Sequence, residues 1–419
     1  MRPIGLMLAL GAAAQADDVD WRTTIPITHL LASEALKPFD VQMTSFMAAR
    51  NVPGAALAVS RNGELILAAG YGYADVESRT LASPTSLFRI ASISKPITGV
   101  AMMRLMELYP ERVSLDTPAF SLVDVGAEPT GDPRLAQITV GQLLYHTGGW
   151  DRSKSFDPMG RPRQIAEALG IPSPAGTRDI IRYMLGQPLE FAPGEEHVYS
   201  NFGYCVLGRV IEDVSGRPYE QFVKDEVLSP LGITTMRIGR SLPQDRAPEE
   251  VRYYDPRRSP NVWQPDGDPV PDPDGSFSIE AMDSHGGWIA SAVDLVRFAC
   301  AFDDPAHCPI LKPESVALMF ARPDGPAGYE ADGTPKAAYY ACGWSVRPTG
   351  NGKANHWHAG ALPGTSTLLV RRGDGLTWAV LFNQIADESG LEYGEIDPAM
   401  HRAAGAVREW PDWDLWEAQ

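Results

Sequence analysis

Apolar runs with strand character lie near both ends of this 419-residue chain, and a long middle segment separates the two groups. The first group is two runs on either side of Asn62-Gly63, a dipeptide that favours a tight hairpin turn. The second group ends in a pair of runs around the turn Gly373-Asp374-Gly375. The runs are residues 55–60, 64–73, 339–346, 353–358, 365–371 and 376–382. We therefore expect one antiparallel sheet built from both chain ends.

Helical patterns fill the rest of the chain. Thr139 and Gln142 fit a capping box, in which each side chain satisfies a backbone amide at the start of a helix. Ser291 and Asp294 can cap another helix that reaches Phe302. Further helices are expected at residues 32–50, 92–108, 140–145, 201–214, 219–227 and from 398 onward. The sequence therefore predicts an α+β fold, an antiparallel sheet flanked by helices, with an inserted, mostly helical domain.

This pattern divides the chain into two expected domains. Residues 17–110 and 285–419 form the sheet domain, and residues 111–284 form the helical insertion. Long loops rich in Pro, Gly and Asp separate the helices of the insertion. Residues 255–277 are the extreme case, which we interpret as a lid or a surface wrap whose role the sequence leaves open.

The first 16 residues have the pattern of an export signal. A short basic start is followed by an apolar run, residues 4–14, that is too short to span a bilayer. Ala14-Gln15-Ala16 then provides the small residues that a signal peptidase requires. No Cys follows this point directly, and no later apolar run is long enough for a membrane helix, so no membrane anchor is expected. The sequence predicts a periplasmic or secreted protein; the alternative is a frayed apolar N-terminus.

The overall charge limits the partners. The chain has 36 Lys and Arg against 53 Asp and Glu, a formal net charge of −17. Such an acidic surface repels phosphate backbones, so nucleic acid is not an expected partner. A small-molecule or short-peptide substrate is expected instead, and the oligomeric state stays open.

The four cysteines allow three fully paired arrangements in an oxidising compartment. Cys300 and Cys308 flank a turn-rich segment, and we predict a disulfide between them. Cys205 and Cys342 lie among apolar neighbours, where a free thiol behaves as a small buried hydrophobe. No Cys-x-x-Cys spacing supports a structural zinc site.

Ser92-Ile93-Ser94-Lys95 is the first candidate for chemistry. Residues three apart on a helix share a face, so the Ser92 hydroxyl and the Lys95 amine can approach each other. A serine hydroxyl needs a base to become a nucleophile, and a desolvated lysine can be that base. The alternative is a helix cap followed by a surface lysine.

Tyr199-Ser200-Asn201 is the second candidate. The Tyr199 phenol can pass a proton to a leaving group, and the Asn201 amide can orient a substrate. The alternative is a loop-anchoring tyrosine followed by a capping Asn.

The third candidate is His358-Ala359-Gly360, which is predicted at the end of a strand. There Gly360 lets a substrate approach the backbone, and the amide of Ala361 can donate a hydrogen bond. His146-Thr147-Gly148 and His285-Gly286-Gly287 match the same pattern, but only His358 lies between strong strand runs near the C-terminus.

The three motifs together, in this order and spacing, resemble those of the penicillin-recognising serine hydrolases, which include class C β-lactamases, DD-peptidases and related esterases. The likeness covers residues 40–385. Further matching segments are residues 87–91, 143–149, 193–194, 202–204 and 230–232.

This resemblance implies a β-lactamase/transpeptidase-like fold and a serine hydrolase that cleaves an ester or amide bond through an acyl-serine intermediate, without a cofactor or metal. Ser92 would be the nucleophile, Lys95 its proton acceptor and Tyr199 the relay to the leaving group. Asn201, His358, Gly360 and Ala361 would contact the substrate, with the amides of Ser92 and Ala361 forming an oxyanion hole. His358 replaces the lysine of a class C Lys-Thr-Gly, which argues against strong β-lactamase activity.

Other functions find less support in the sequence. An α/β-hydrolase needs a Gly-x-Ser-x-Gly elbow, which is missing. His356 and His358 share a strand face, but no His-Glu-x-x-His or Cys cluster completes a metal site. Asp272 and Asp274 do not fit the register of a calcium-binding EF-hand loop. The second hypothesis is a catalytically inactive penicillin-binding or cell-wall-peptide sensor on the same fold. Whether the natural substrate is an ester, a peptide or a lactam stays open.

Overall fold

The computed structural model describes residues 24–126 and 130–418. The expected export signal over residues 1–16 lies outside them. The strands are β1 Ile27–His29, β2 Gly54–Arg61, β3 Glu64–Asp75, β4 Thr80–Leu81, β5 Phe88–Arg89, β6 Arg237–Ile238, β7 Arg258–Ser259, β8 Val270–Pro271, β9 Trp288–Ala290, β10 Tyr339–Tyr340, β11 Ser345–Gly350, β12 Lys353–Leu362, β13 Thr365–Arg371 and β14 Leu376–Phe382. The α-helices are α1 Lys37–Ala49, α2 Ser94–Leu108, α3 Val140–Leu144, α4 Pro162–Leu169, α5 Thr177–Met184, α6 Asn201–Ser215, α7 Tyr219–Val223, α8 Ala292–Cys300, α9 Pro313–Phe320 and α10 Ile396–Ala406.

One antiparallel sheet joins the two ends of the chain, as predicted. Within the described residues its order is β1-β3-β2-β14-β13-β12-β11-β10, and β4 adds to β3. Strand β2 pairs with β14, so the first hairpin and the last hairpin are joined within the sheet. The hairpin at Asn62-Gly63 is confirmed, because Ser60 pairs with Leu65 and Arg61 with Glu64. The α+β prediction is therefore correct.

Alternate residues of the central strands face two separate hydrophobic cores. Val380 lies in a core with α1 and α10, where the ring of Phe46 stacks on Phe382 at 5.1 Å between centroids. The next residue, Leu381, lies in the core on the opposite face, with α2, α8 and the helices between β5 and β9. The period of two along a strand explains this division. Because both faces are covered, every residue of β13 and β14 is buried.

The helices that lie between α2 and β9 in the chain pack together through α2 and α6 and share one hydrophobic core with one face of the sheet. Both capping predictions are confirmed. The Thr139 hydroxyl accepts from the Gln142 amide while the Gln142 side chain accepts from Thr139, and Ser291 and Asp294 are reciprocally bonded in the same way. The helix predicted over residues 219–227 instead changes from α to π winding at Lys224.

The predicted Cys300–Cys308 disulfide is wrong, because both thiols are free, whereas Cys205 and Cys342 are free and buried as expected. Cys300 ends α8, which packs against β2 and β14, and its Sγ lies 3.0 Å from the Ser60 hydroxyl of β2. The thiol therefore faces the sheet. Asp304 caps the short turn that holds Cys308, and Cys308 is only partly buried.

Two of the predicted C-terminal strands have different bounds. The run at residues 339–346 is divided into β10 and β11, because Gly343 takes a left-handed φ of +83° between them. The run that begins at residue 353 continues beyond His358 to Leu362 as β12.

The Pro- and Asp-rich segment wraps a buried arginine. It includes the short pair β7 and β8, and its Pro273 carbonyl contacts Arg89 of β5. The fully buried Arg89 guanidinium donates hydrogen bonds to the carbonyls of Pro273 and Arg240, at 2.8 and 2.9 Å. Charge-assisted bonds of this kind fix the wrap to the strand that leads into α2.

No helix in residues 24–126 or 130–418 is long and apolar enough to cross a membrane.

The strand β12 crosses the segment before α2 at Gly360, where there is no room for a side chain. A Cβ placed on Gly360 would lie 2.3 Å from Thr367 Oγ1 and 2.5 Å from the Ile90 carbonyl oxygen. We therefore expect Gly360→Ala to lower the free energy of unfolding by about 1–3 kcal/mol, as overpacking does elsewhere. Denaturant unfolding measures this change.

Gly405→Ala in α10 is the matched control. A Cβ at Gly405 meets nothing within 4 Å, and alanine is the better helix former, so this variant should be as stable as the parent or more stable. Equal stability of the Gly360→Ala variant and the parent would contradict the close crossing.

Candidate active site

Ser92 lies in a short turn of 3-10 helix, Ala91–Ile93, that leads directly into α2. The preceding residue, Ala91, has a φ of +47°, which is unfavourable for a residue with a Cβ. Its neighbour Ile90 is held from two sides, because its amide donates to the Trp288 carbonyl and its carbonyl accepts from Thr367 Oγ1, both at 3.0 Å. Anchored strands therefore hold the Ser92 turn in a strained conformation.

The Lys95 amine is fully buried and has three oxygen neighbours. Its Nζ lies 3.1 Å from Ser92 Oγ, 2.8 Å from Asn201 Oδ1 and 2.9 Å from the His285 carbonyl oxygen. Burial lowers the pKa of Lys95 well below its ordinary value. A neutral amine donates two hydrogen bonds and keeps one lone pair, so it can donate to Asn201 and His285 and accept the Ser92 proton.

Tyr199 covers the Lys95 amine, with Nζ 4.6 Å from the centre of its ring. Burial raises the pKa of the Tyr199 phenol, although its hydrogen bond with Ser92 and the charge of Arg152 oppose this effect. The phenol therefore keeps its proton at neutral pH. A protonated phenol that is hydrogen-bonded to Ser92 can act as a proton relay.

The Asn201 side chain is bonded to the protein at both ends. Its Oδ1 accepts from Lys95, and its Nδ2 donates to Asp157 Oδ2 at 2.7 Å. Asn201 thus positions the Lys95 amine as well as lining the cavity beside Ser92. Sequence reasoning missed Asp157, since nothing in the sequence shows which carboxylate an amide will meet.

His146 positions Tyr199 by bonding the residues that precede and follow it in the chain. Its carbonyl accepts from the Val198 amide at 2.9 Å, and its Nδ1 accepts from the Ser200 amide at 3.2 Å. The His146 ring also packs against the Tyr199 ring, with 4.4 Å between centroids. His146 and His285 both match the His-x-Gly pattern that the sequence analysis assigned to His358 alone, and the structure brings all three to this site.

His358 is in the interior of β12 and not at a strand end, which corrects the sequence prediction. The strand continues because His358 to Leu362 pair in register with Leu369 to Thr365 of β13. His358 Nδ1 donates to the Ala359 carbonyl at 2.7 Å, and its Nε2 accepts from the Tyr340 hydroxyl at 3.1 Å. Burial lowers the pKa of His358 to about 3, so the ring is uncharged at neutral pH.

The outer edge of β12 opens onto the cavity. Strand β11 pairs with β12 only as far as Trp357, so in the described part of the chain residues 358–362 have no strand on that side. The cavity has a volume of about 900 Å³. Six of the seven predicted site residues line it: Ser92, Tyr199, Asn201, His358, Gly360 and Ala361. The seventh, Lys95, is hydrogen-bonded to Ser92 and Asn201.

Within residues 24–126 and 130–418, no group of three His, Cys, Asp or Glu side chains is placed to share a metal ion.

The comparisons define the class of protein. The Beta-lactamase family matches residues 39–394, so the chain belongs to this family. The chain is 31% identical to Protein flp of Staphylococcus aureus (strain MW2) over 206 residues, which is 48% of this chain and 38% of that protein. It therefore spans about two fifths of the length of these first relatives.

Two other proteins resemble a larger part of the chain. Esterase EstB of Burkholderia gladioli is 30% identical over 306 residues, which is 68% of this chain and 73% of that protein. The D-amino acid amidase of Ochrobactrum anthropi SV3 has the same fold, with a TM-score of 0.66, 22% identity, and coverage of 90% of this chain and all of that one. The likeness to a β-lactamase/transpeptidase fold is thus confirmed.

The buried histidines predict how stability depends on pH. Burial lowers the pKa of His356 to about 3, below the value of about 6.5 in an unfolded chain. The unfolded state then binds more protons between these values, so stability falls as the pH drops below 6.5. When the pH is lowered from 7.5 to 5.0, the parent should lose up to about 2 kcal/mol more of its unfolding free energy than the His356→Asn variant.

Denaturant unfolding at the two pH values tests this prediction. His307→Asn is the control for the loss of a histidine, because the exposed His307 pairs with Asp304 only at the surface, where water weakens an ion pair. Identical pH dependence of all three proteins would contradict a neutral, buried His356.

Proposed function

We propose that the protein is a serine hydrolase that cleaves an ester or amide bond through an acyl-Ser92 intermediate. The observation that carries the proposal is the 3.1 Å contact between Ser92 Oγ and a fully buried Lys95 amine. Such an amine is a base at neutral pH, and a serine hydroxyl needs a base to attack a carbonyl.

In the first half-reaction, Ser92 Oγ bonds to the substrate carbonyl carbon while its proton moves to Lys95 Nζ. The negative charge that develops on the carbonyl oxygen is stabilised by the amides of Ser92 and Ala361, which form the oxyanion hole in this proposal. Tyr199 then delivers a proton to the leaving alcohol or amine as the bond to carbon breaks, and Lys95 restores the proton of Tyr199.

In the second half-reaction, water attacks the acyl carbon. Its proton passes through Tyr199 to Lys95, and the Ser92 oxygen leaves and regains a proton. The net reaction adds one water to the substrate and restores Ser92 and Lys95 to their starting states.

Membership of the Beta-lactamase family and the likeness to an esterase, EstB, support this function. A cavity of about 900 Å³ suits a small molecule or a short peptide. The uncharged His358 supplies no cation at the place where class C β-lactamases carry a lysine, so we propose ester or amide substrates in preference to lactams.

We also propose that the chain is exported, because residues 1–16 have the pattern of a signal peptide. Sequencing the N-terminus of the protein recovered from the periplasm or the medium tests this. The proposal requires a start at Asp17, and an intact Met1 would contradict it.

Changing the base or the nucleophile should abolish turnover. We expect Ser92→Ala and Lys95→Met each to lower kcat/KM for p-nitrophenyl butyrate at least about a thousandfold, because the two residues act as a unit. Lys224→Met is the matched control, since Lys224 is half-exposed and pairs with Glu220 on α7, and its activity should equal that of the parent.

Mass spectrometry of the quenched reaction should show one acyl group on Ser92. Labelling of Ser92 without steady product release would favour the inactive sensor protein instead. Retained turnover in the Lys95→Met variant would contradict the role of Lys95.

A further inference from the structure

We propose that Arg152 binds a carboxylate on the leaving-group side of the substrate, so that this hydrolase prefers esters or amides whose leaving group is anionic. The inference rests on the proposed function and names the class of substrate that the cavity selects. Three observations support it: the position of Arg152, its available hydrogen-bond donors and the charges elsewhere in the cavity.

Arg152 lines the same cavity as Ser92 and lies beside the proposed proton relay. Its guanidinium carbon is 5.7 Å from the centre of the Tyr199 ring. The leaving group must be within reach of the Tyr199 hydroxyl to receive its proton. A carboxylate attached to the leaving group would therefore be close to Arg152.

Within the part of the chain that the structure describes, the Arg152 guanidinium has only a long ion pair, with Asp157. The nearest carboxylate oxygen, Asp157 Oδ2, is 3.9 Å away and already accepts a hydrogen bond from Asn201 Nδ2 at 2.7 Å. Among the described residues, no hydrogen bond from the Arg152 side chain is found. A guanidinium has five N–H donors in a planar fork that matches a carboxylate, so these donors are available to a ligand.

Arg152 is also the one cationic group among the described residues that line the cavity. The other lining residues carry no positive charge: His358 is neutral, Asp387, Glu392 and Asp397 are acidic, and the Tyr, Ser, Thr and Asn side chains are uncharged. A carboxylate would be repelled by these acids, so Arg152 is the place in the cavity where it can be held.

About half of the Arg152 side chain is exposed to solvent. Water weakens an exposed ion pair, so the preference should be moderate and not absolute. We expect a contribution of about tenfold to kcat/KM for a bidentate carboxylate contact in a partly desolvated cleft.

The test compares two butyrate esters that differ only in the charge of the leaving group: 4-carboxyphenyl butyrate and 4-carbamoylphenyl butyrate. The quantity measured is the ratio of their kcat/KM values. We expect Arg152→Gln to lower this ratio about tenfold. Arg182→Gln removes one charge from the surface of α5, where Arg182 pairs with Asp179, and should leave the ratio as it is in the parent.

A third ester, p-nitrophenyl hemisuccinate, places the carboxylate on the acyl side, and p-nitrophenyl butyrate is its neutral partner. If Arg152→Gln lowers only the ratio of this second pair, the assignment to the leaving-group side is wrong. If Arg152→Gln leaves the kcat/KM ratio of both pairs unchanged, carboxylate binding by Arg152 is overturned. An equal fall in kcat/KM for all four esters overturns it as well and would show that Arg152 acts on Tyr199.

Failure of the proposed function would look different. If the parent protein hydrolyses none of the esters, or if Ser92→Ala hydrolyses them as well as the parent, the serine hydrolase is contradicted and the role of Arg152 with it. Activity that depends on Ser92 with an unaltered ratio in Arg152→Gln contradicts the role of Arg152 alone.

Discussion

The removal of water from the Lys95 amine is the constraint on which the rest of the site depends. A lysine in water is charged at neutral pH and cannot accept a proton from a serine. In this protein the turn before α2, the start of α6 and the turn before β9 each supply one oxygen neighbour of the amine: Ser92, Asn201 and the His285 carbonyl. The burial that lowers the pKa of Lys95 therefore results from the packing of three separate segments.

Both halves of the chain contribute to that enclosure. Ser92 and Lys95 follow the first hairpin, Tyr199 and Asn201 come from the helical region, and the β12 edge comes from the C-terminal strands. The sheet brings the two ends together because β2 pairs with β14, while Thr367 of β13 holds the Ile90 carbonyl just before the Ser92 turn. The hydrolase proposed here therefore depends on a scaffold in which sequence-distant elements are fixed to one another by direct hydrogen bonds.

Features set by local sequence were predictable. The Asn62-Gly63 turn and the capping boxes at Thr139 and Ser291 act within a few residues, and the structure confirms them. Features set by distant partners were not. Strand β12 runs past His358 because β13 continues to pair with it, and Cys300 faces Ser60 because α8 packs on the sheet.

The same distinction applies to the site. The three motifs could be found in the sequence because each has a fixed local spacing, and the structure brings them to one cavity. The contributions of His146, Asp157 and the His285 carbonyl depend on contacts across the fold, which a short pattern does not encode. Sequence reasoning placed His358 where class C β-lactamases carry a lysine, but only the structure shows that its ring, buried between Tyr340 and the backbone, is uncharged.

The most direct test of this account is a nuclear magnetic resonance titration of protein labelled with carbon-13 at the lysine side-chain ε position, with Lys95→Met to assign the signal. The account predicts that at pH 7 the Lys95 signal already has the chemical shift of an uncharged amine, while the exposed lysines, whose ordinary pKa is about 10.4, are still charged. A Lys95 signal that titrates together with the exposed lysines would show a charged amine at neutral pH and would contradict the account.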